Sequence, residues 1–594
     1  MRNKIKYLDG IRLAVAFQAG TNAVTSDREY LNKINVFPVP DADTGTNLAS
    51  TLQGIAHELT VDSNIGVVMN KIADSALNYS RGNSGIIFSQ FLIGLNDVLS
   101  DKESITALEF SSALEHSIEL LYESLNNPVE GTIITVMKEW TNSFIKHSKK
   151  HQDIENIIKH SLLDAKKALA NTPNQLEILA KAGVVDSGAK GFVDFIEGIY
   201  DFIVSGDIKN IPKPVKIDTE LTEHIHNNKE EIEYRYCTEA IITDNNIDFV
   251  KLKRELNNFG DSVVIAGSPR KLRLHIHTNT PDKLFESMKE FGNISNLKAE
   301  DMTRQFEISN ERKFPIAIVT DSASDLSMQI INDNQINVIP FTVNFGDTAY
   351  LDRVTLSHDR FYELLENNPN HPSTALPSPN TIKNLFSYLL THYKQVICVH
   401  VSKELSGTFN QSETIAKEFS KDELLVINSK SLSVSEGLVV ARIAEAIKNG
   451  KLFEDIKNDV SDWISKSEIL VDIETLKFMV RGGRVSPLKG LMAKVVNLKP
   501  IISLDKDGKG IAYGKTFSRN ANFKKIISEI GKMADQKEVW NYAIGHGKNI
   551  ARADKYATEL EKIIGKPPLY IENIGPVVGA HNGTGVVGIG IMLK

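Results

Sequence analysis

The chain changes its hydrophobic period partway along, and that change limits its possible folds more than any other feature. Between about residues 10 and 205, apolar positions recur at the three-to-four spacing of amphipathic helices. Ile87, Phe91, Leu95 and Val98 share one face, and Phe110, Leu114, Ile118 and Leu121 share another. Breaks at Asn127-Pro128 and Asn171-Thr-Pro173 separate the runs, so this region predicts an all-α unit. From Phe314, compact β-branched runs appear at 316–320, 396–401, 424–428 and 539–544, with helical stretches between several of them. That alternation predicts an α/β sheet built from crossover units. Between the two regions lies a polar linker over 205–230, containing Pro212 and Pro214. A mixed segment follows, with strands predicted at 262–266 and 272–278 and helices at 249–257 and 281–291. The expected layout is multidomain: 1–205, 206–312 and 313–594.

Composition narrows the function classes. A net charge of −7 gives no global basic field, so nucleic acid is not an expected partner. Two cysteines, Cys237 and Cys398, cannot staple a chain of 594 residues, which points to a reducing compartment. No run approaches the roughly 18 apolar residues of a membrane-spanning helix. The basic start at Met1-Arg-Asn-Lys-Ile-Lys6 is followed by Asp9 and Arg12, which interrupt any signal-peptide core. A soluble cytoplasmic protein, not an integral membrane one, is expected.

The strongest local signal in the first half is Asn35-Val-Phe-Pro-Val-Pro-Asp-Ala-Asp-Thr-Gly-Thr-Asn47. Pro38 and Pro40 stiffen the approach, Asp41 and Asp43 stand two residues apart, and Gly45 permits a tight turn. Two carboxylates beside Thr44, Thr46 and Asn47 offer hard oxygen ligands for Mg²⁺ and a nucleotide's phosphates. By itself the Asp-x-Asp pair fits a helix cap better, and the proline-acid-glycine context reverses the balance in favour of the ligand reading. Arg81-Gly-Asn-Ser-Gly85 precedes an apolar helix, where Asn83, Ser84 and Gly85 would meet a phosphate or merely cap the helix. Glu130-Gly-Thr132 and Val185-Asp-Ser-Gly-Ala189 open further helices. No Walker loop is present in the sequence.

In order and spacing, the segments 35–47, 83–85, 130–132 and 186–188 resemble the DhaL-type dihydroxyacetone kinase domain, most closely its bacterial fatty acid kinase branch. The resemblance covers about residues 5–205 and implies a helical barrel binding ATP and paired Mg²⁺ at one end. It implies Asp41 and Asp43 as metal ligands, with Asn35 a further candidate. Thr46, Asn47, Asn83, Ser84 and Gly85 would hold phosphates, and Thr132 and Asp186 would lie on the nucleotide's rim. Ala42 departs from the family's usual glycine; a positive φ there would cost on the order of 1 kcal/mol.

In the middle segment, strand alternation puts His275 and His277 on one face, and Cys237 reaching that face would complete three Zn²⁺ ligands. A buried cysteine with two surface histidines is the competing reading from spacing alone. The fatty acid kinase family carries a similar Cys and His-x-His, so the resemblance implies a metal or support site.

Beyond residue 314, Val319-Thr-Asp-Ser-Ala-Ser-Asp325, Ser373-Thr-Ala-Leu-Pro-Ser-Pro379, Ser402-Lys-Glu-Leu-Ser-Gly-Thr408, Arg481-Gly-Gly-Arg484 and Gly579-Ala-His-Asn-Gly583 resemble the DegV family of fatty-acid-binding proteins. That likeness implies a two-lobed α/β fold that buries an acyl chain. Thr374, Ser406 and His581 would bind its carboxylate, with Arg484 on a glycine-flanked loop nearby. Ala375-Leu376 stands where the family usually has Ser-Gln, which would reduce hydrogen bonding beside the carboxylate.

Together the resemblances imply a fused fatty acid kinase that makes acyl phosphate from ATP and a bound fatty acid. Asp41, Asp43 and Arg484 would neutralise charge during transfer. The expected partners are a fatty acid, a second copy of the chain and an enzyme that accepts the acyl phosphate. A dihydroxyacetone-type kinase and a non-catalytic lipid-binding or regulatory protein are the alternatives.

Overall fold

A computed structural model describes residues 4–37, 43–125, 128–205, 233–483 and 499–594. The chain divides into two compact units, Met1–Asn310 and Glu311–Lys594.

Side-chain oxygens set several helix starts in the first unit. Asp9 accepts the backbone N–H of Arg12 at 2.8 Å, Asn64 accepts that of Val67, and Thr106 and Glu109 cap each other reciprocally. The long helices are Gly10–Ser26, Thr44–Glu58, Ile65–Tyr79, Gly82–Leu99, Ala107–Ser124, Ile133–Ser148, Ile154–Ala170 and Ser187–Ser205. Their apolar stripes converge on an aromatic centre. Phe17, Phe88, Phe91, Trp140, Phe144, Phe192 and Phe195 meet there with ring centroids 5.0–6.1 Å apart, mostly edge to face. The region is not wholly helical: Tyr7–Asp9 pairs antiparallel with Ser104–Thr106. Strands of three residues are too short for alternation to reveal them.

The middle segment forms a four-stranded antiparallel sheet in the order Gly260–Ser268, Lys271–Thr278, Tyr236–Thr243, Asn293–Asp301. Even-numbered positions of its two central strands, including Ala240, Ile242, Leu272, Leu274 and Ile276, pack into a core with Val263 and Ile265 of the edge strand and Leu252, Leu256, Leu284 and Phe285 from two covering helices. At the edge strand, Val264 and Ala266 pack with Ala73, Leu77, Ile86 and Ile93 of the helices before and after Ser80. The Gly267 N–H donates to Gln90 Oε1 at 2.7 Å, which helps to seat the sheet on the helices.

The second unit contains two main sheets. One is wholly parallel, in the order Leu424–Asn428, Gln395–His400, Ile316–Asp321, Asn337–Ile339, as crossover connections require. The other runs Gly510–Thr516, Lys499–Leu504, Ser467–Asp472, Val587–Leu593, Val539–His546, Ile571–Asn573, and only its last pair is parallel. The crossover prediction therefore holds for the first sheet and, in the second, only for Val539–His546 and Ile571–Asn573, joined through helix Ile550–Ile564. Only residues 505–509 separate the strands ending at Leu504 and beginning at Gly510, a hairpin too short for a crossover helix. Helix Ser433–Lys448 packs against both sheets, its Val434, Leu438 and Val439 sharing a core with Ile397, Val399, Ala543 and Met592. A small third sheet, Thr348–Leu351, Thr342–Phe345, Ser373–Ala375, carries Thr374.

Candidate functional site

Three helix starts of the first unit converge on one cavity of about 330 Å³. Asn83 and Ser84 come from the start of Gly82–Leu99, Thr132 from just before Ile133–Ser148, and Asp186 and Gly188 from the start of Ser187–Ser205. Gly82, at φ +59°, turns the chain into the first of these. Asn83 Oδ1 is buried without a hydrogen-bond partner among the described residues, a polar atom suited to a bound ligand. Apolar side chains from Phe37, Ile87, Leu125, Val129 and Ile133 supply the rest of the helical wall.

Asp186 both lines the cavity and caps: Oδ1 accepts the Ala189 N–H at 2.8 Å, and the Ile133 N–H also reaches the carboxylate. Burial raises its pKa to about 7, more than these backbone donors lower it. Thr132 Oγ1 donates to Val129 O at 2.8 Å, so its hydroxyl also holds the turn.

The acidic loop is described only from Asp43; Asp41 and Ala42 lie outside the described residues. Asp43 is buried at the start of Thr44–Glu58 and accepts from Asn47 Nδ2 at 2.7 Å. Thr46 is tied to Asn32, which donates to its hydroxyl at 2.7 Å and accepts its N–H at 3.0 Å. Asn35 is buried nearby in sequence. Asp43, Thr46, Asn47, Gly85 and Asn35 do not line the 330 Å³ cavity. Asn47 and Gly85 nevertheless border its entrance helix: a Cβ on Gly82 would stand 2.5 Å from Asn47 Nδ2, and one on Gly85 2.5 Å from Thr51 Oγ1.

The middle sheet completes the same cavity, which sequence reasoning missed. Asn257 and Gly260, Asp261, Ser262, Val263 and Val264 form its remaining wall. Ser262 holds φ +53°, where the strand pairing slips between Asp261 and Val264.

Cys237, His275 and His277 do come together, with one ligand atom from each lying within 4.8 Å of the others. Cys237 and His275 are buried, and the His277 side chain is 12% exposed. The two Nε2 atoms stand 3.3 Å apart. Nitrogens about 2.0–2.1 Å from a tetrahedral ion would take nearly that separation, so the residues fit a zinc-type site. Beside them Glu239 is buried, paired with Arg273 Nη2 at 2.5 Å and 3.4 Å from His275 Nδ1. Burial disfavours the Glu239 charge, but Arg273, Lys298 and His275 outweigh it and hold the pKa well below the usual range. Burial likewise opposes a charged His275, but Cys237 and Glu239 raise its pKa to about 9. Alternation along Tyr236–Thr243 would have placed Glu239 with Cys237; Arg273 needed the strand order as well.

In the second unit, a narrow cavity of about 110 Å³ runs among Phe341, Val401, Leu405, Ile469, Val471, Met479, Ile502 and Val577, with Ser406 and His581 on its wall. Thr374 Oγ1 lies 3.4 Å from His581 Nε2, so two of the three predicted carboxylate ligands are neighbours and the third shares the cavity. Ser406 Oγ is 2.8 Å from Thr408 Oγ1, just after Gly407. A Cβ on Gly482 would stand 2.1 Å from His581 Nδ1, so the glycine lets that backbone reach the ring. Arg484 lies outside the described residues.

Deeper in this unit, His400 Nδ1 stands 2.9 Å from Asp321 Oδ2, and His400 Nε2 3.1 Å from Cys398 Sγ. All three are buried. Burial opposes charge on His400, yet Cys398 and Asp321 raise its pKa to about 10.

Comparison with known proteins follows this division. Residues 38–201 match the DAK2 domain, 233–309 the FakA-like middle domain of fatty acid kinase, and 315–594 the DegV family of uncharacterised proteins. An uncharacterised protein of Staphylococcus saprophyticus is 25% identical over 527 residues, covering 85% of this chain and 93% of that one. Bacillus subtilis protein YloV is 32% identical over 326 residues, covering 52% of this chain and 58% of YloV. Among solved structures, a fatty-acid-binding DegV protein from Bacillus subtilis covers 48% of this chain and all of its own, at 25% identity and a TM-score of 0.44. A DegV family protein from Thermus thermophilus, titled for its fatty acid binding, covers 47% at 23% identity and a TM-score of 0.45. Among the described residues, no helix is long and apolar enough to cross a membrane.

Proposed function

Because the chain carries a DAK2 domain, a FakA-like middle domain and a DegV domain in series, we propose that it phosphorylates a fatty acid held by its own DegV domain. ATP binds in the first unit, its γ-phosphoryl passes to the carboxylate, and acyl phosphate and ADP form. The observation that carries this reading is that one chain carries both a DAK2 domain and a DegV domain. The first unit gathers Asn83, Ser84, Thr132 and Asp186 from three helix starts around one cavity, and the second has an apolar cavity with hydroxyl and imidazole groups on its wall.

A carboxylate is already anionic at neutral pH, so it needs no base to attack phosphorus. Placement and charge neutralisation remain the chain's tasks. The N–H groups of Asn83 and Ser84, in the first turn of Gly82–Leu99, favour phosphate oxygens, aided by the Ser84 hydroxyl and the Asn83 amide. Asp43, with Asp41, would hold Mg²⁺, whose charge would offset the repulsion between phosphates and carboxylate. In the second unit Thr374, Ser406 and His581 orient the carboxylate, and each methylene buried among the apolar wall residues contributes about 0.8 kcal/mol. Arg484 supplies a further positive charge. Cys237, His275 and His277 would hold Zn²⁺ with a fourth position open, as a metal or support site.

The test is to incubate the full chain with ATP, Mg²⁺ and oleate and to trap acyl phosphate as hydroxamate with hydroxylamine. Product is expected from the wild type and not from Asp43→Ala. Equal product from both, or none from the wild type, overturns the proposal.

A further inference from the structure

We infer that the Cys237/His275/His277 cluster is coupled to the nucleotide pocket, so that a metal in one and a nucleotide in the other strengthen each other's binding. Glu239 and Asp261 are the positioning residues that link them. The inference rests on the reading of the cluster as a metal site and the cavity as a nucleotide site, and on nothing about the acyl acceptor.

Two connections carry it. The first runs through Glu239, which is 1% exposed. Its Oε1 accepts the backbone N–H of Gly82 at 3.3 Å and lies 3.4 Å from His275 Nδ1. Its Oε2 pairs with Arg273, whose Nη1 donates to Leu77 O at 3.3 Å and Asn78 O at 3.2 Å. A guanidinium thus meets the carbonyl end of Ile65–Tyr79, and a carboxylate meets the amide end of Gly82–Leu99. Each charge has the sign that its helix end favours. The buried pair clamps the corner from which Asn83 and Ser84 enter the cavity.

The second connection runs through Asp261, whose Oδ1 is 3.6 Å from His277 Nδ1 and which lines the cavity from the opposite element. His275 thus faces His277 through Nε2, while its Nδ1 lies between Cys237 Sγ at 3.9 Å and Glu239 Oε1 at 3.4 Å, so Glu239 borders the cluster itself, and Asp261 stands beside the other histidine. An ion held by Cys237, His275 and His277 would fix both ring orientations, and with them the carboxylates of Glu239 and Asp261 that stand against the rings. By linkage, whatever factor the metal adds to nucleotide affinity, the nucleotide adds to metal affinity.

The experiment uses the full chain, stripped with a chelator and reloaded with zinc. A fluorescent ATP analogue is titrated into both forms, and zinc affinity is measured against a competing chromophoric chelator with and without a non-hydrolysable ATP analogue. Zinc is expected to tighten nucleotide binding at least about fivefold, and the nucleotide to tighten zinc by the same factor. Glu239→Gln and the half-exposed Asp261→Asn are expected to shrink that factor while zinc still binds stoichiometrically. Cys237→Ser is expected to bind nucleotide like the stripped wild type. Identical nucleotide affinity with and without zinc, no zinc uptake by the wild type, or an undiminished factor in both carboxylate variants overturns the inference. None of these readouts involves phosphoryl transfer. Coupling in a chain that makes no acyl phosphate would refute the kinase reading and leave this one standing.

Discussion

Gly188 approaches Ser84 so closely that a Cβ on the glycine would stand 2.8 Å from the serine hydroxyl. Two helix starts meet at that contact, on the wall of the 330 Å³ cavity. A methyl group there must displace Ser84, the residue proposed to meet phosphate. Gly188→Ala is therefore expected to weaken ATP binding about tenfold, the equivalent of a modest overpacking cost, without unfolding the chain. Titration of a fluorescent nucleotide, with circular dichroism as the folding control, checks this.

Asp186 makes the same region sensitive to pH. Its folded pKa of about 7 lies above the unfolded value near 3.9, so its contribution to stability is greatest below pH 4 and is lost as pH rises through 7. The loss amounts to up to ~4 kcal/mol. Asp186→Asn has no charge to bury. Relative to wild type it is expected to gain stability between pH 5 and pH 8, read as slower amide exchange in helices Ile133–Ser148 and Ser187–Ser205 at the higher pH. A difference that stays flat with pH contradicts the assignment.

The second unit offers a stability test at a buried pair that lines neither cavity. His400 and Asp321 are both fully buried and 2.9 Å apart. Removing the ring strands a buried carboxylate, so His400→Ala is expected to destabilise this unit by about 3–5 kcal/mol, measured by urea unfolding near neutral pH. Cys398→Ser, which leaves the ion pair intact, is expected to cost less than half as much.

Acyl binding separates head from tail. Thr374→Val and His581→Gln each remove a group proposed to hold the carboxylate, and each is expected to weaken oleate binding roughly tenfold, the scale of one hydrogen bond to a charged group. Val401→Trp fills the apolar cavity instead and is expected to exclude long chains while leaving the head-group residues in place. Isothermal titration with a series of chain lengths distinguishes the two effects.

Much of this was legible in the residues because it is local. Helical spacing revealed the aromatic face through Phe91 and Leu95, and period-two alternation put His275 beside His277. Cys237 and Glu239 obey the same alternation, one register step apart. What was not legible depended on which strands become neighbours. Nothing in the spacing says that Tyr236–Thr243 pairs with Lys271–Thr278, so the Glu239–Arg273 pair stayed hidden. Nor does it say that Asp261 and Asn257 close a cavity opened by Asn83 and Thr132. The antiparallel second sheet was missed for a related reason, since β-branched runs alone do not encode strand direction. Asp186 and Thr132 were found by composition, yet the Asp186 carboxylate also caps its helix, and the Thr132 hydroxyl holds the turn before its own.

Whether one chain both stores and phosphorylates a fatty acid is decided by the mass of the lipid recovered from the full chain after a brief exposure to ATP and Mg²⁺. Oleate loaded beforehand is expected to return as the acyl phosphate from wild type, and unchanged from Asp43→Ala and from a Thr374→Val/His581→Gln double variant. Recovery of unmodified oleate from the wild type while ADP accumulates, with the phosphoryl group found in water or in a small ketone, would contradict it.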